Sequence, residues 1–184
     1  VLGGGGFIGH HLANRLKKEG HEVHIVDQQW WITQEDFPNF IVGDLTKPAT
    51  FLKLDTDYDE IYQLAADMGG AMYVFTKEND ANIMLNSLQI NINVINWMKK
   101  HKKLKRVFFS SSACVYNEHN QMAKHAIDTR EASAYPANPD SDYGWEKLTS
   151  ERLYLAAKRN YGLEVRIGRY HNVYGPECDY LGIR

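Results

Sequence analysis

Five glycines in the first nine residues, Gly3-Gly4-Gly5-Gly6 and Gly9, constrain this chain more than any other feature. Val1-Leu2 before them reads as the end of a strand. Ile8, Leu12 and Leu16 after them recur at helical spacing, with Gly20 as the helix C-cap. Glycine lets a strand turn tightly into a helix and lets backbone N–H groups come close to a ligand. The rest of the chain repeats the alternation. Strands are predicted at 22–27, 40–42, 60–66, 106–110 and 164–167, and long helices at 83–99 and 143–159. Short apolar strands alternating with helices predict an α/β fold: a Rossmann-type doubly wound parallel sheet with helices on both faces. The segments 28–39, 67–79 and 116–142 are the least regular. They follow strands or strand-adjacent turns, where open α/β sheets bind ligands.

Composition removes several classes. At 184 residues, with 43% hydrophobic and 24% charged, the chain suits one ordered domain. A net charge of −2 lacks the basic footprint of a nucleic-acid binder. Two cysteines, Cys114 and Cys178, are too few for a disulfide scaffold and point to free thiols in a reducing cytoplasm. No apolar run approaches the roughly 20 residues of a membrane span. The opening has no signal-peptide pattern, and the eight histidines have no metal spacing, so no metal is expected. Val1-Leu2 as a strand end, and 179–184 without an element, suggest a piece of a longer protein.

Five groups of residues carry chemistry. Gly3, Gly6 and Gly9 form a GxxGxxG turn opening a helix, the arrangement that receives a pyrophosphate on a helix N-terminus. Asp27 ends the next strand, where a carboxylate accepts from both ribose hydroxyls of NAD; no Lys or Arg follows in Gln28-Gln29-Trp30-Trp31 to hold a 2′-phosphate. Tyr143 and Lys147, at i and i+4, share a helix face, and an ammonium there favours the phenolate of a general base. Ser111-Ser112-Ala113-Cys114 follows the strand RVFF, where a hydroxyl can bond a sugar or the tyrosine oxygen. Ala65-Ala66-Asp67-Met68-Gly69-Gly70 allows close backbone approach, and Asn172 in 169–176 can hold a phosphate or sugar. Each group has a plain structural alternative: a glycine turn, a solvated acid, a Lys147–Glu151 pair, a capping serine, a buried thiol.

Taken in order and together, these residues resemble the extended short-chain dehydrogenase/reductase family, the NAD-dependent epimerases and dehydratases of nucleotide sugars. The resemblance covers essentially the whole chain. It is most detailed at LAADMGG (64–70), SSACVY (111–116) and RIGRYHNVYGP (166–176), which are similar to members that invert C3 and C5 of GDP-mannose. It implies an isomerase that oxidises the sugar transiently at C4, exchanges protons at C3 and C5, and reduces C4 again. It implies NAD contacts at Gly3, Gly6, Phe7, Ile8, Gly9, Asp27, Asp44, Leu45, Ala65, Ala66, Tyr143 and Lys147. Ser112, Tyr143 and Lys147 would serve the redox step and Cys114 one proton exchange. Gly69, Gly70, Ser112, Ala113, Cys114 and Asn172 would line the substrate site, with GDP-mannose the favoured nucleotide sugar. The resemblance further implies an NAD-binding domain over 1–168 and the start of a substrate region over 169–184. It also implies a homodimer through the helices at 83–99 and 143–159, and a second acid/base lysine in an Arg-x-Lys segment just after Arg184. Leu2 and Asn117 depart from the Thr and Pro common in the family. The competing possibilities are another nucleotide-sugar epimerase, dehydratase or reductase, and a non-catalytic NAD-binding protein.

Overall fold

Parallel pairing runs through the whole sheet. The structure, a computed structural model, describes residues 1–28, 36–54, 58–101, 103–122 and 128–178. The segment 29–31 after Asp27 and the terminal segment 179–184 lie outside the described residues. The elements are α1 (Phe7–Lys18), β1 (Ile25–Asp27), β2 (Phe40–Val42), β3 (Glu60–Gln63), α2 (Ala71–Phe75), α3 (Asp80–Met98), β4 (Arg106–Ser112), α4 (Glu118–Met122), α5 (Asp142–Tyr161) and β5 (Val165–Tyr170). Three short 3₁₀ turns, Pro48–Lys53, Ala113–Val115 and Glu131–Ala134, complete the connections.

β1 pairs with β2 on one side, and β3, β4 and β5 pair in order on the other. Leu2 joins the two sets, bridging in parallel to both Val26 and Gln63. Its N–H donates to the Tyr62 carbonyl and its carbonyl accepts from Leu64, each at 2.9 Å. The spatial order is therefore β2-β1-Leu2-β3-β4-β5. The chain winds outward from Leu2 in one direction and then in the other, which makes a topological switch point beside Leu2.

Side-chain alternation feeds both faces. In β1, Ile25 packs with Ala13 of α1, Phe37 and Phe40, while the next residue, Val26, enters the main core. That core joins Val107 and Phe109 of β4 to Ile90, Val94 and Met98 of α3 and to Tyr154 and Ala157 of α5. On the opposite face of the second half, the rings of Tyr62, Phe108 and Tyr170 form a half-buried ladder.

The long elements match their expected positions, and their ends differ for physical reasons. α5 starts at Asp142 because the Ser141 hydroxyl accepts from the Gly144 N–H at 3.1 Å. It ends at Gly162, whose φ of 71° suits a residue without Cβ. β3 stops at Gln63, three residues early, because the Gln63 side-chain amide bonds both N–H and C=O of Ala65. β4 and β5 are longer than expected because Ser110, Ser111 and Ser112 pair with Gly168, Arg169 and Tyr170. Three serines read as a strand end, but pairing with a neighbour outweighs their low strand propensity. β5 thus continues two residues past residue 168. The segments 67–79 and 116–142, expected to be irregular, contain α2, α4 and the Glu131–Ala134 turn.

Candidate functional site

The glycine turn is built by close backbone approach. Gly3 has φ +81°, and a Cβ there would lie 2.6 Å from the Ala65 nitrogen. A Cβ on Gly9 would lie 2.1 Å from the Gly3 carbonyl oxygen, so α1 can pack against the turn only with glycine there. A Cβ on Gly6 would meet only that same oxygen, at 3.6 Å. Gly6 is the N-cap of α1 and makes no side-chain cap, so the positive end of the helix dipole faces an open cradle beside the half-buried Phe7 and Ile8. Asp27 closes this cradle: its Oδ2 accepts from the Gly5 N–H at 2.9 Å. Ala65 and Ala66 border it from the end of β3.

Asp44 and Leu45 follow β2. Burial works to raise the Asp44 carboxyl, but the hydroxyl and N–H of Thr46, donating at 2.7 and 2.8 Å, hold it below the usual carboxylate range. The buried Leu45 belongs to the core, and its carbonyl accepts from Asn93 of α3 at 3.0 Å. These two residues therefore fix the loop against α3.

The second half of the site lies where β4 ends and α5 begins. Lys147, 2% exposed, donates from Nζ to the Ser110 carbonyl at 3.1 Å. The same Nζ stands 5.2 Å from the centre of the Phe109 ring and 5.6 Å from that of Tyr143. The cation thus lies under the Tyr143 ring, as the spacing predicts. The alternative of a Lys147–Glu151 pair is not what forms: Glu151 accepts instead from Arg169 at 2.9 and 2.8 Å and from Ser111 at 2.6 Å.

Ser112 and Cys114 meet, but by a different geometry from an extended chain. A 3₁₀ turn, Ala113–Val115, begins at Ser112, whose hydroxyl accepts from the Cys114 N–H at 3.2 Å. The turn is held against α5, because a Cβ on Gly144 would lie 2.2 Å from the Cys114 carbonyl oxygen. Half-buried Cys114 joins Tyr73, Val74, Ile83 and Tyr143 in one cluster. Burial raises its thiol above the ordinary value; contact with Ser112 opposes this and the Asp140 carboxylate adds to it. At neutral pH the Cys114 side chain is thus a thiol and not a thiolate. Cys178 is also a free thiol.

The loop after β3 folds toward the same cluster. A Cβ on Gly69 would lie 2.7 Å from Tyr73, and Gly70 is the N-cap of α2. The Tyr73 hydroxyl donates to Asp67 at 2.8 Å. Gly69 and Gly70 thereby bring α2 to Cys114 and Tyr143. Asn172 is exposed in the segment after β5. Of the described histidines, His101 stacks on Trp97 and His24 contacts Tyr58. Among the described residues no group of three or more His, Cys, Asp or Glu could hold a metal, and no helix is long and apolar enough to cross a membrane.

Sequence reasoning missed four site neighbours: Glu146, Asn91, Ser110 and Asp140. Glu146, Ser150 and Tyr154 recur every four residues beside Tyr143, Lys147 and Glu151, so their shared helix face was a usable signal.

Comparisons agree with this architecture. The profile of the NAD dependent epimerase/dehydratase family matches residues 1–182. The chain is 38% identical to the GDP-mannose 3,5-epimerase of Arabidopsis thaliana, with 100% of this chain and 49% of that protein aligned. It is 30% identical to a putative UDP-glucose 4-epimerase of Methanocaldococcus jannaschii, with 99% of this chain and 58% of that protein aligned. A crystal structure of UDP-galactose 4-epimerase superposes with a TM-score of 0.79 at 28% identity, covering 97% of this chain and 57% of that one. UDP-glucose 4-epimerase of Thermus thermophilus, solved with NAD, gives 0.78 at 25% identity, covering 97% and 56%. The chain spans about half the length of the curated relatives it matches.

Proposed function

The chain belongs to the NAD-dependent epimerase/dehydratase family, and on that premise we propose that it forms the NAD-binding half of an epimerase acting on GDP-mannose at C3 and C5. The observation that carries this reading is the cluster of Cys114, Tyr143 and Tyr73, which brings a protonated thiol beside the tyrosine that stands over Lys147. A C4 redox step alone has no use for a thiol. Identity to the Arabidopsis thaliana enzyme over the full chain supports the choice of substrate.

The residues present fit the cofactor. The open cradle at Gly6, the uncapped start of α1 and the Asp27 carboxylate suit a pyrophosphate and a ribose diol respectively. These residues would hold NAD, which would supply hydride acceptance and return at sugar C4. Tyr143 takes the proton of the C4 hydroxyl as that carbon becomes a ketone, and Lys147 below it stabilises the phenolate. Ser112 holds the C4 oxygen. The ketone acidifies the C–H bonds at C3 and C5. At the carbon that Cys114 serves, a base from outside the described residues removes the proton from one face and the thiol delivers one to the other. The other carbon undergoes the same exchange with groups outside the described residues, and solvent water then reprotonates the thiolate and takes up the proton of the base. Tyr143 finally returns its proton to the C4 oxygen.

Incubating the full-length protein with GDP-mannose in D₂O tests the whole scheme. Deuterium is expected at C3 and C5 of the recovered sugar, read by NMR, with two inverted centres among the products. An enzyme that inverts only C4, without solvent deuterium at C3 or C5, would replace this reading with that of a 4-epimerase.

A further inference from the structure

Glu146 is fully buried, yet it is half satisfied. Its Oε1 accepts from Asn91 of α3 at 3.2 Å and from Ser150 at 2.7 Å. Its Oε2, among the described residues, is a buried side-chain oxygen with no hydrogen bond at all. Such an oxygen is costly away from water and needs a reason. The group facing it is the Lys147 ammonium, with Nζ 3.9 Å from Oε2. Adjacent residues on a helix do not normally face one another. Here both side chains turn inward because that face of α5 is buried against α3 and β4.

The surroundings hold Glu146 in place. Asn91 donates to the Ser87 carbonyl as well as to Glu146, and its oxygen accepts from Gln63 of β3 and from the Tyr154 hydroxyl. Five polar side chains, Gln63, Asn91, Glu146, Ser150 and Tyr154, thus form one buried network. Its open end points at Lys147. The groups that meet the pair from β4 are the Ser110 carbonyl and the Phe109 ring, and from α3 and β3 the amides of Asn91 and Gln63. The ionisable groups beside it are the phenols of Tyr143 and Tyr154. Burial, with the Glu146 charge adding to it, keeps the Tyr154 phenol neutral well above its ordinary range. Glu151 is occupied by Arg169 and Ser111.

We propose that Glu146 is a positioning residue whose buried carboxylate keeps Lys147 an ammonium beneath Tyr143, and that the Gln63–Asn91–Ser150 network exists to hold that carboxylate. Lys147 would otherwise be an ammonium surrounded by two rings and a carbonyl, where burial disfavours charge. Glu146 supplies the missing anion without touching cofactor or substrate. This rests on the reading that Tyr143 and Lys147 form part of the cofactor site.

The test is NADH binding by the full-length protein, followed by fluorescence from pH 7 to 11, since the reduced cofactor survives alkali and needs no sugar. Binding by the wild type is expected to weaken at high pH. Glu146→Gln keeps the size and the bonds to Asn91 and Ser150 but removes the charge. Its alkaline loss should begin at a lower pH than that of the wild type. Glu146→Asp keeps the charge but draws it back from Nζ, so its loss should begin at an intermediate pH. Should the Gln variant not fold, the Asp variant's loss should still begin at a lower pH than that of the wild type. A purely structural Glu146 would lower thermal stability and leave the alkaline limb unmoved, and a folded variant with the wild-type limb overturns the proposal. The parent reading fails separately, if Lys147→Met leaves NADH affinity unchanged at all pH values.

Discussion

A thiol held protonated inside a turn is a specific kind of acid. Cys114 owes its raised value first to burial, with Ser112 opposing and Asp140 reinforcing. Because the folded-state value lies above the unfolded one, the stabilisation is fully present below the unfolded thiol range. It is lost as pH rises through the folded value. Wild-type stability, measured by urea unfolding between pH 7 and 10.5, should therefore fall on the alkaline side, and Cys114→Ala should remove part of that fall. In activity, Cys114→Ala should retain NAD binding and the NADH signal of C4 oxidation but lose deuterium uptake at one carbon. Unchanged uptake at both carbons would return Cys114 to the role of a small buried side chain. At this scale the sequence was legible where spacing or local rigidity fixed geometry. Tyr143 and Lys147 come together because four residues make nearly one helical turn. For Glu146 only its four-residue spacing with Ser150 and Tyr154 was legible; its burial was not, because a glutamate in a helix is usually solvated and this one depends on α3, Gln63 and β4 arriving from distant sequence.

α5 carries most of the site, and its two ends show which local signals suffice. The expected helix, 143–159, stops short of both, yet its serine start at Ser141 and its glycine stop at Gly162 are local capping chemistry. The ends of β3 and β4 are not, since Gln63 stops one strand through its own side chain and three serines prolong the other through pairing. The start of α5 also distinguishes helix stability from site assembly. Ser141→Ala removes the cap at 3.1 Å from Gly144 and should cost about 0.5–2 kcal/mol, with NAD affinity nearly kept. Gly144→Ala should raise helix propensity and yet do more harm. Its Cβ would lie 2.2 Å from the Cys114 carbonyl, so the helix must move away from the Ser112–Cys114 turn. Urea unfolding paired with NADH titration separates the two variants. A Gly144→Ala protein with wild-type stability and affinity would show that the close packing of α5 on that turn is dispensable.

The order β2-β1-Leu2-β3-β4-β5 sets where these parts meet. The switch point beside Leu2 leaves a crevice between the end of β1 and the end of β3, and the glycine turn rises from its floor. Asp27 stands on one wall and Ala65 on the other, with Gly3 close enough to Ala65 that no side chain fits between them. On the proposed reading, this global arrangement would decide which dinucleotide is accepted. Asp27 is anchored by the Gly5 N–H, so its carboxylate is fixed relative to the turn that would hold the pyrophosphate. Fixed there, it would accept from a ribose diol and repel a 2′-phosphate in the proposed cofactor site, and the sequence Gln29-Trp30-Trp31 has no cationic residue to offset that repulsion. Like charges brought together can cost several kcal/mol, and each 1.4 kcal/mol is about tenfold in affinity. Calorimetric titration of the full-length protein should therefore give NAD binding at least about tenfold tighter than NADP. Asp27→Asn should narrow the gap chiefly by admitting NADP, since an amide still reaches a ribose hydroxyl but no longer repels phosphate. Equal or tighter binding of NADP by the wild type would remove Asp27 from the cofactor site and leave its bond to Gly5 as a purely structural brace for the turn.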